Sequence, residues 1–408
     1  MKLLIEHQCP QCGAPAVLEE TDRLFSCNYC RVKSYLSRND HFRYLLPDKA
    51  PAGKDLIYMP YWRYRGILFS STARGLMHRF IDVSYQALEL QGLPVSLGLR
   101  SQALKLKFVT PSSVGRFLCP DVSITRITDM FKNQYTASLP GPVYHQAYVG
   151  DTLSMIYAPY FVNGRLYDAV LNHPLDTAAL TGEHLSELDG DKARWPLDFI
   201  PALCPSCGWD LEGRRDALAL LCRNCNTMWQ ASRTEFQPLN FATLQSGLAN
   251  PVNLPFWRIK ADITGLQIEN YADLARLANL PRLMQSDWPD IGFRFWAPAF
   301  KLQPRAFARL CTHATLAQPH TDFKPRLPEG QVHAVTLPVE EAVDSLKINL
   351  STFMKPARRL RPQLPHIKIR PSTFVLVYLP FEKGHHDLIQ PDLNLVVNIN
   401  QLRLSSDL

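Results

Sequence analysis

The chain has 408 residues, enough for two or three domains, each with its own core. An apolar fraction of 46% and a charged fraction of 20% are those of an ordinary soluble globular protein. The 32 prolines are spread along the whole chain, which suits many short strands and turns and argues against one long disordered linker. The opening Met1-Lys2-Leu3-Leu4-Ile5 is too short an apolar run for a signal peptide, and the most apolar internal stretch, 374–381, has the length of a strand. A cytoplasmic protein with no transmembrane segment is expected.

In chain order, the first element is a cysteine array, Cys9/Cys12/Cys27/Cys30, at the head of a segment spanning about 1–40. Turn-punctuated, strand-like runs at 61–70, 97–109, 153–161 and 165–171, with a helix near 122–131, then predict a β-rich module over 41–172. A linker over 173–203 leads to a second array, Cys204/Cys207/Cys222/Cys225, in 204–235. The module that follows, 236–408, has strand-like runs at 257–268, 292–302, 374–379 and 393–399, and helical periodicity at 270–284 and 339–353. Strands and helices do not alternate regularly, so an α+β fold with mostly antiparallel sheets is expected.

The two arrays share the spacing C-x2-C-x14-C-x2-C and lie 195 residues apart. At that offset Pro10 and Gly13 match Pro205 and Gly208, and Pro60-Tyr61-Trp62-Arg63 match Pro255-Phe256-Trp257-Arg258. With a slowly drifting offset, Leu97-Gly98-Leu99-Arg100 match Ile291-Gly292-Phe293-Arg294, and Cys119 matches Cys311. A gain of residues after Cys311, near 312–337, brings Tyr157-Ala158-Pro159-Tyr160 onto Tyr378-Leu379-Pro380-Phe381. Ordered matches of this kind indicate an internal duplication: two halves, each a cysteine ribbon followed by a β-rich module.

Pairs of cysteines three residues apart turn back on one metal, and the glycine after each first pair accepts the positive φ the turn requires. The 14 intervening residues have the length of a hairpin. The arrays resemble the zinc-ribbon superfamily over about 25 residues each. The resemblance implies two structural zinc ions; rubredoxin-type iron uses similar knuckles and is the rival metal. Four thiolates around each Zn²⁺ would lower the formal charge from +7 to +3, so the basic balance says little about nucleic acid. The two cysteines outside the arrays, Cys119 and Cys311, have apolar neighbours and read as buried core residues.

The recurring aromatic-proline segments suit strand starts whose rings fill a sheet core. A basic stretch free of acids carries Lys355, Arg358, Arg359, Arg361, Lys368 and Arg370, candidates for anion or nucleic-acid contact. His385-His386-Asp387 follows a Lys-Gly turn and reads as an exposed hairpin. No phosphate loop, dinucleotide-binding turn, nucleophile elbow or zinc-protease helix occurs. The sequence therefore favours a non-enzymatic zinc-binding scaffold or adaptor that presents duplicated surfaces to partner proteins, with a nucleic-acid-binding ribbon protein as the alternative.

Overall fold

A computed structural model describes residues 3–37, 40–98, 105–175, 190–191, 195, 197–232, 234–320 and 322–404. Strands dominate. The first ribbon comprises β1 (Leu4–Gln8), β2 (Pro15–Glu19), β3 (Leu24–Ser26) and β4 (Lys33–Ser37). The first module follows with β5 (Phe42–Leu45), β6 (Ile57–Thr72), β7 (Gly75–Gln86), β8 (Leu106–Phe108), β9 (Arg116–Leu118), α1 (Ile124–Ser138), β10 (Val143–Asn163) and β11 (Arg165–Asp168). Between the halves lie β12 (His173–Pro174), β13 (Gly190–Asp191) and β14 (Asp198–Pro201). The second ribbon contributes β15 (Ala219–Cys222), β16 (Thr227–Ala231) and β17 (Phe236–Pro238). Its module runs through β18 (Phe241–Leu244), β19 (Val252–Thr264), α2 (Tyr271–Ala278), β20 (Phe295–Pro298), α3 (Pro304–Ala317), β21 (Phe323–Lys324), β22 (Gln331–Val332), α4 (Val339–Asp344), α5 (Leu346–Phe353) and α6 (Ala357–Leu360). It ends with β23 (Lys368–Lys383), β24 (Asp387–Gln390), β25 (Leu395–Asn398) and α7 (Ile399–Leu404).

Each module is built on one long antiparallel pair, β6 with β10 in the first half and β19 with β23 in the second. The aromatic-proline segments form the buried centre of these pairs, with Tyr157 opposite Pro60 and Tyr378 opposite Pro255. Alternation along β6 sends successive side chains to opposite faces. Met59 and Tyr61 join a core containing Cys9, Cys27 and Leu36 of the first ribbon, whereas Tyr58 and Trp62 pack with Phe117 and with Ile127 of α1. The first sheet is thus covered by the ribbon on one side and a helix on the other, and both faces of β6 are apolar for that reason.

The backbone hydrogen bonds show the duplication in detail and revise its alignment. Ala87 donates its N–H to Pro60 O at 2.9 Å, and its carbonyl accepts from Asp121 and Val122; Ala299 donates to Pro255 O at 2.9 Å and accepts from Thr336 and Leu337. Trp62 Nε1 donates to Val122 O at 2.7 Å, and Trp257 Nε1 to Leu337 O at 2.9 Å. Short β9 runs parallel to β6 as β22 does to β19. Hence β7 corresponds to β20, and α1 to α4 and α5. The sequence alignment holds through the ribbons, the β6/β19 strands and the 157–160/378–381 segments, but the expected match of 97–119 with 291–311 does not hold. The reason lies at one turn: β6 and β7 are joined by only Ala73 and Arg74, whereas α2 intervenes between β19 and β20. From the matched tryptophan to the matched alanine the second half runs 42 residues against 25 in the first, so most of its added residues lie at 265–294 and not after Cys311.

Other expectations need adjustment. Within 97–109 only 106–108 is strand, residues 99–104 lying outside the described ones. Strand 292–302 shortens to β20, and 393–399 to β25 followed by α7. The helix at 270–284 stops at Asn279, whose φ of 49° lies in the left-handed region. The helix at 339–353 divides at Ser345. Helix α3 was not anticipated, although Pro304 at its first turn and buried Phe307, Leu310 and Ala314 give it a helical signature. It carries Cys311, which is buried, while Cys119 is exposed after β9, so the two lone cysteines do not share a core position. No helix among the described residues is long and apolar enough to cross a membrane.

The halves are joined by more than the chain. Lys301 Nζ donates to Gly150 O at 3.2 Å, the Gly150 N–H donates to the Glu341 carboxylate, and Ile67, Phe69, Ala147 and Val149 of the first half enter the second half's core.

Candidate metal centres

Each knuckle is the turn of a hairpin. Cys9 and Cys12 lie between β1 and β2, and Cys27 and Cys30 between β3 and β4. Residues between the two knuckles of the first ribbon therefore do not pair with each other as one hairpin; β2 pairs β1, and β3 pairs β4. In the second ribbon the bridge Leu203 with Asp210 frames the first knuckle, and β15 with β16 the second. The backbone closes three of the four turns in the same way: Gly13 N donates to Cys9 O at 2.9 Å, Arg31 N to Cys27 O at 3.0 Å and Gly208 N to Cys204 O at 2.8 Å. The residue after the second cysteine of each knuckle takes positive φ, at 71° for Gly13, 62° for Arg31, 72° for Gly208 and 57° for Asn226. Glycine and asparagine suit that conformation, and Arg31 accepts it at some steric cost because the knuckle fixes the path on both sides.

These turns bring four sulfurs together in each ribbon. Cys9 Sγ lies 3.7 Å from Cys30 Sγ and Cys12 Sγ 3.6 Å from Cys27 Sγ; the corresponding separations in the second ribbon are both 3.5 Å. In each quartet all four sulfurs lie within 4.8 Å of one another. Tetrahedral thiolates about 2.3 Å from a zinc ion stand about 3.8 Å apart, so both quartets fit such an ion, and the separations are far too long for disulfides. Burial follows the same pattern in both: the first and third cysteines are buried, the second exposed, the fourth between. Backbone N–H groups aimed at the sulfurs favour the thiolate state a metal needs. The N–H of Cys30, with that of Tyr29 beside it, brings the Cys27 thiol down to about 6 against the opposing effect of burial.

The two centres differ in one outer contact. Trp229 Nε1 donates to Thr227 Oγ1 at 2.8 Å, and the hydroxyl stands 3.1 Å from Cys225 Sγ. With its oxygen already accepting from the indole, the hydroxyl directs its proton to the sulfur. Val32 occupies the corresponding place in the first ribbon and can make no such bond. Neither Thr227 nor the positive φ of Arg31 stood out in the sequence; aligning the residues two past the last cysteines would have revealed the Thr/Val difference.

The ribbons are fused to each other. Strand β14 pairs with β4, and Arg23 and Leu24 both donate their N–H to Arg215 O, at 2.6 and 2.8 Å. Tyr35 Oη donates to Ala217 O at 3.2 Å and Ser37 Oγ to Ser232 O at 2.7 Å. Leu24 and Tyr35 of the first ribbon share one core with Cys204, Leu220, Cys222 and Trp229 of the second.

The basic stretch lies elsewhere. Lys355, Arg358 and Arg359 are exposed at α6, whereas Arg361 Nε is drawn in to Ser351 O at 3.2 Å. Lys368 and Arg370 lie on the exposed start of β23, and Arg370 stands opposite Asp262 of β19, an acid the linear stretch does not contain. His385 and His386 are exposed at the β23–β24 turn, as expected. Burial pushes the Cys311 thiol well above its usual range, so this cysteine is chemically quiet. No family model matches the chain, and no curated protein or solved structure matches it either.

Proposed function

We propose that the chain is a non-enzymatic zinc-binding scaffold, with one structural zinc in each cysteine quartet, which presents its paired ribbons to partner proteins in a cytoplasmic complex. Four sulfurs per quartet leave no open coordination position for a substrate, which supports structural zinc over a catalytic ion. The observation that carries the interaction reading is a set of apolar side chains held out at the knuckles. Tyr29 is 71% exposed and Trp209 60%, with Val32 and Leu203 also exposed. The Lys33–Asp210 ion pair, at 3.3 Å, brings the neighbours of Val32 and Trp209 together across the ribbon junction. Rigid, exposed aromatics of this kind are what binding interfaces use as anchors.

Size-exclusion of an extract from the native host tests this. The 46.4 kDa chain should elute within a larger assembly, and Tyr29→Ala/Trp209→Ala should release it as a free chain with its metal content intact. Wild-type protein eluting alone would overturn the reading.

Exposed Lys355, Arg358 and Arg359 support the second reading, a nucleic-acid contact. It requires affinity that falls steeply with salt, and a smaller salt slope in Arg358→Ala/Arg359→Ala. The Asp262 partner of Arg370 and the inward bond of Arg361 weaken it.

A further inference from the structure

The duplication permits a comparison of two equivalent arginines, and they have opposite surroundings. Arg63 and Arg258 each follow the Pro-aromatic-Trp segment on the central strand. Arg63 is 6% exposed and neutralised: its guanidinium pairs with Asp82 and also donates to Tyr64 O at 3.2 Å. Asp82 lies five residues before Ala87, whose hydrogen bonds match those of Ala299; five residues before Ala299 stands Arg294. On the adjacent strand, Ser84 is opposite Arg63 and Trp296 opposite Arg258, so Asp82 and Arg294 both occupy the diagonal position on the arginine's own face. Where the first half places a carboxylate, the second places another guanidinium.

Among the described residues no carboxylate offsets it; Arg294 Nη1 donates to its neighbour's carbonyl, Phe293 O, at 2.6 Å, which satisfies one donor but leaves the charge. Neither Arg258 nor Arg294 forms an ion pair there, and Arg258 Nε is buried with no acceptor. Burial, and then the charge of Arg294, hold the Arg258 guanidinium below its usual value. The guanidinium carbon of Arg258 lies 5.9 Å from the Trp296 ring centre and 5.4 Å from that of Phe323, so aromatic faces support it. Trp296 is fully buried, and its Nε1 also lacks an acceptor. Arg294 is fixed at its backbone by a two-way clasp with Gln318, whose Oε1 accepts from Arg294 N at 3.0 Å and whose Nε2 donates to Arg294 O at 2.5 Å. A side chain at position 292 would stand 3.1 Å from Arg294 Nη1, so Gly292 leaves the space that guanidinium occupies.

We propose that Arg258 and Arg294 form a binding site for a phosphoryl group of a small-molecule ligand, beside the Trp296 indole. Two half-buried guanidiniums without a counter-charge are costly, and an oxyanion with several acceptor oxygens offsets both charges while accepting from the orphaned donors. A dianionic phosphoryl group matches two cations where a carboxylate matches one. The site goes beyond the scaffold reading and does not depend on it.

Inorganic phosphate and phenyl phosphate are the probes, with chloride and acetate at matched ionic strength as controls, read by thermal unfolding and tryptophan fluorescence of the zinc-loaded protein. Both phosphates should raise the melting temperature saturably, and chloride should not. Arg294→Asp recreates the arrangement of the first half. It should raise the melting temperature without phosphate and weaken phosphate binding at least tenfold, whereas Arg74→Ala, at the exposed β6–β7 turn, should bind normally. Arg258→Gln should also lose binding; should it fail to fold, Arg294→Asp still decides. A phosphate response unchanged in Arg294→Asp, or no saturable response in the wild type, overturns the proposal. Equal binding of acetate would overturn the phosphoryl assignment.

Discussion

Replacing Trp257 by phenylalanine removes one N–H and about three heavy atoms from a site that is only 1% exposed. The lost N–H leaves Leu337 O, now 2.9 Å from the indole nitrogen, without its donor inside the fold. An orphaned buried acceptor costs about 1–3 kcal/mol, and the unfilled space adds about 1–2 kcal/mol on the scale of large-to-small core changes. The expected loss is therefore about 2–5 kcal/mol, measured as the shift in urea-induced unfolding with zinc present. Trp209→Phe is the internal control, because that ring is 60% exposed and its loss should cost within about 0.5 kcal/mol. Native-state hydrogen exchange should place the Trp257→Phe loss in β19 and β23. The equivalent Trp62 packs in a different core and bonds to Val122 O, so the Trp62→Phe cost should add to the Trp257→Phe cost within about 0.5 kcal/mol. A Trp257→Phe protein no less stable than Trp209→Phe would refute the stabilising role of the bond from Trp257 to Leu337 O.

Metal analysis of the purified chain should give two zinc ions, with Cys12→Ser and Cys222→Ser each losing one; a full complement in either variant would contradict the quartets. Thr227→Val removes the hydroxyl beside Cys225 Sγ, and in a Cys12→Ser background it should weaken zinc binding at the remaining site by about tenfold against a competing chelator. His145 is held down to about 4 by burial, then by the charges of Lys347 and Lys132, with Asp344 lining the same cavity. Because its folded pKa lies below the unfolded value, its contribution is intact above about pH 6.5 and is lost as the pH falls towards 4, by about 3 kcal/mol in all. His145→Gln should flatten the pH dependence of stability between 6.5 and 5, and an unchanged slope would count against the assignment.

Those features fixed by short-range chemistry were legible before any coordinates. The C-x2-C spacing specifies a knuckle because two thiolates three residues apart share one metal, and proline entering an aromatic run specifies the start of a buried strand. What residue identity could not locate was the shift in alignment after Trp62 and Trp257. The matching hydrogen bonds of Ala87 and Ala299 involve main-chain atoms, and two alanines carry no signal in a sequence. Similar fragments such as Leu97-Gly98 and Ile291-Gly292 instead suggest a false match, although the stretch that follows the latter carries the plain helical pattern of α3. Pairing of β14 with β4 was hidden for another reason: an edge strand of four residues depends on its neighbour for its existence, and that neighbour lies far back in the chain.

That long-range pairing has a kinetic consequence. The first ribbon is synthesised early, yet the carbonyl that accepts from Tyr35 Oη belongs to Ala217, 182 residues later. At about 5–20 residues per second, β4 waits roughly 10–40 s on the nascent chain for the strand and core that close its edge. Throughout that interval the first ribbon relies on its own hairpins, and on any ion its four cysteines hold, so completion of one ribbon is scheduled by translation of the other.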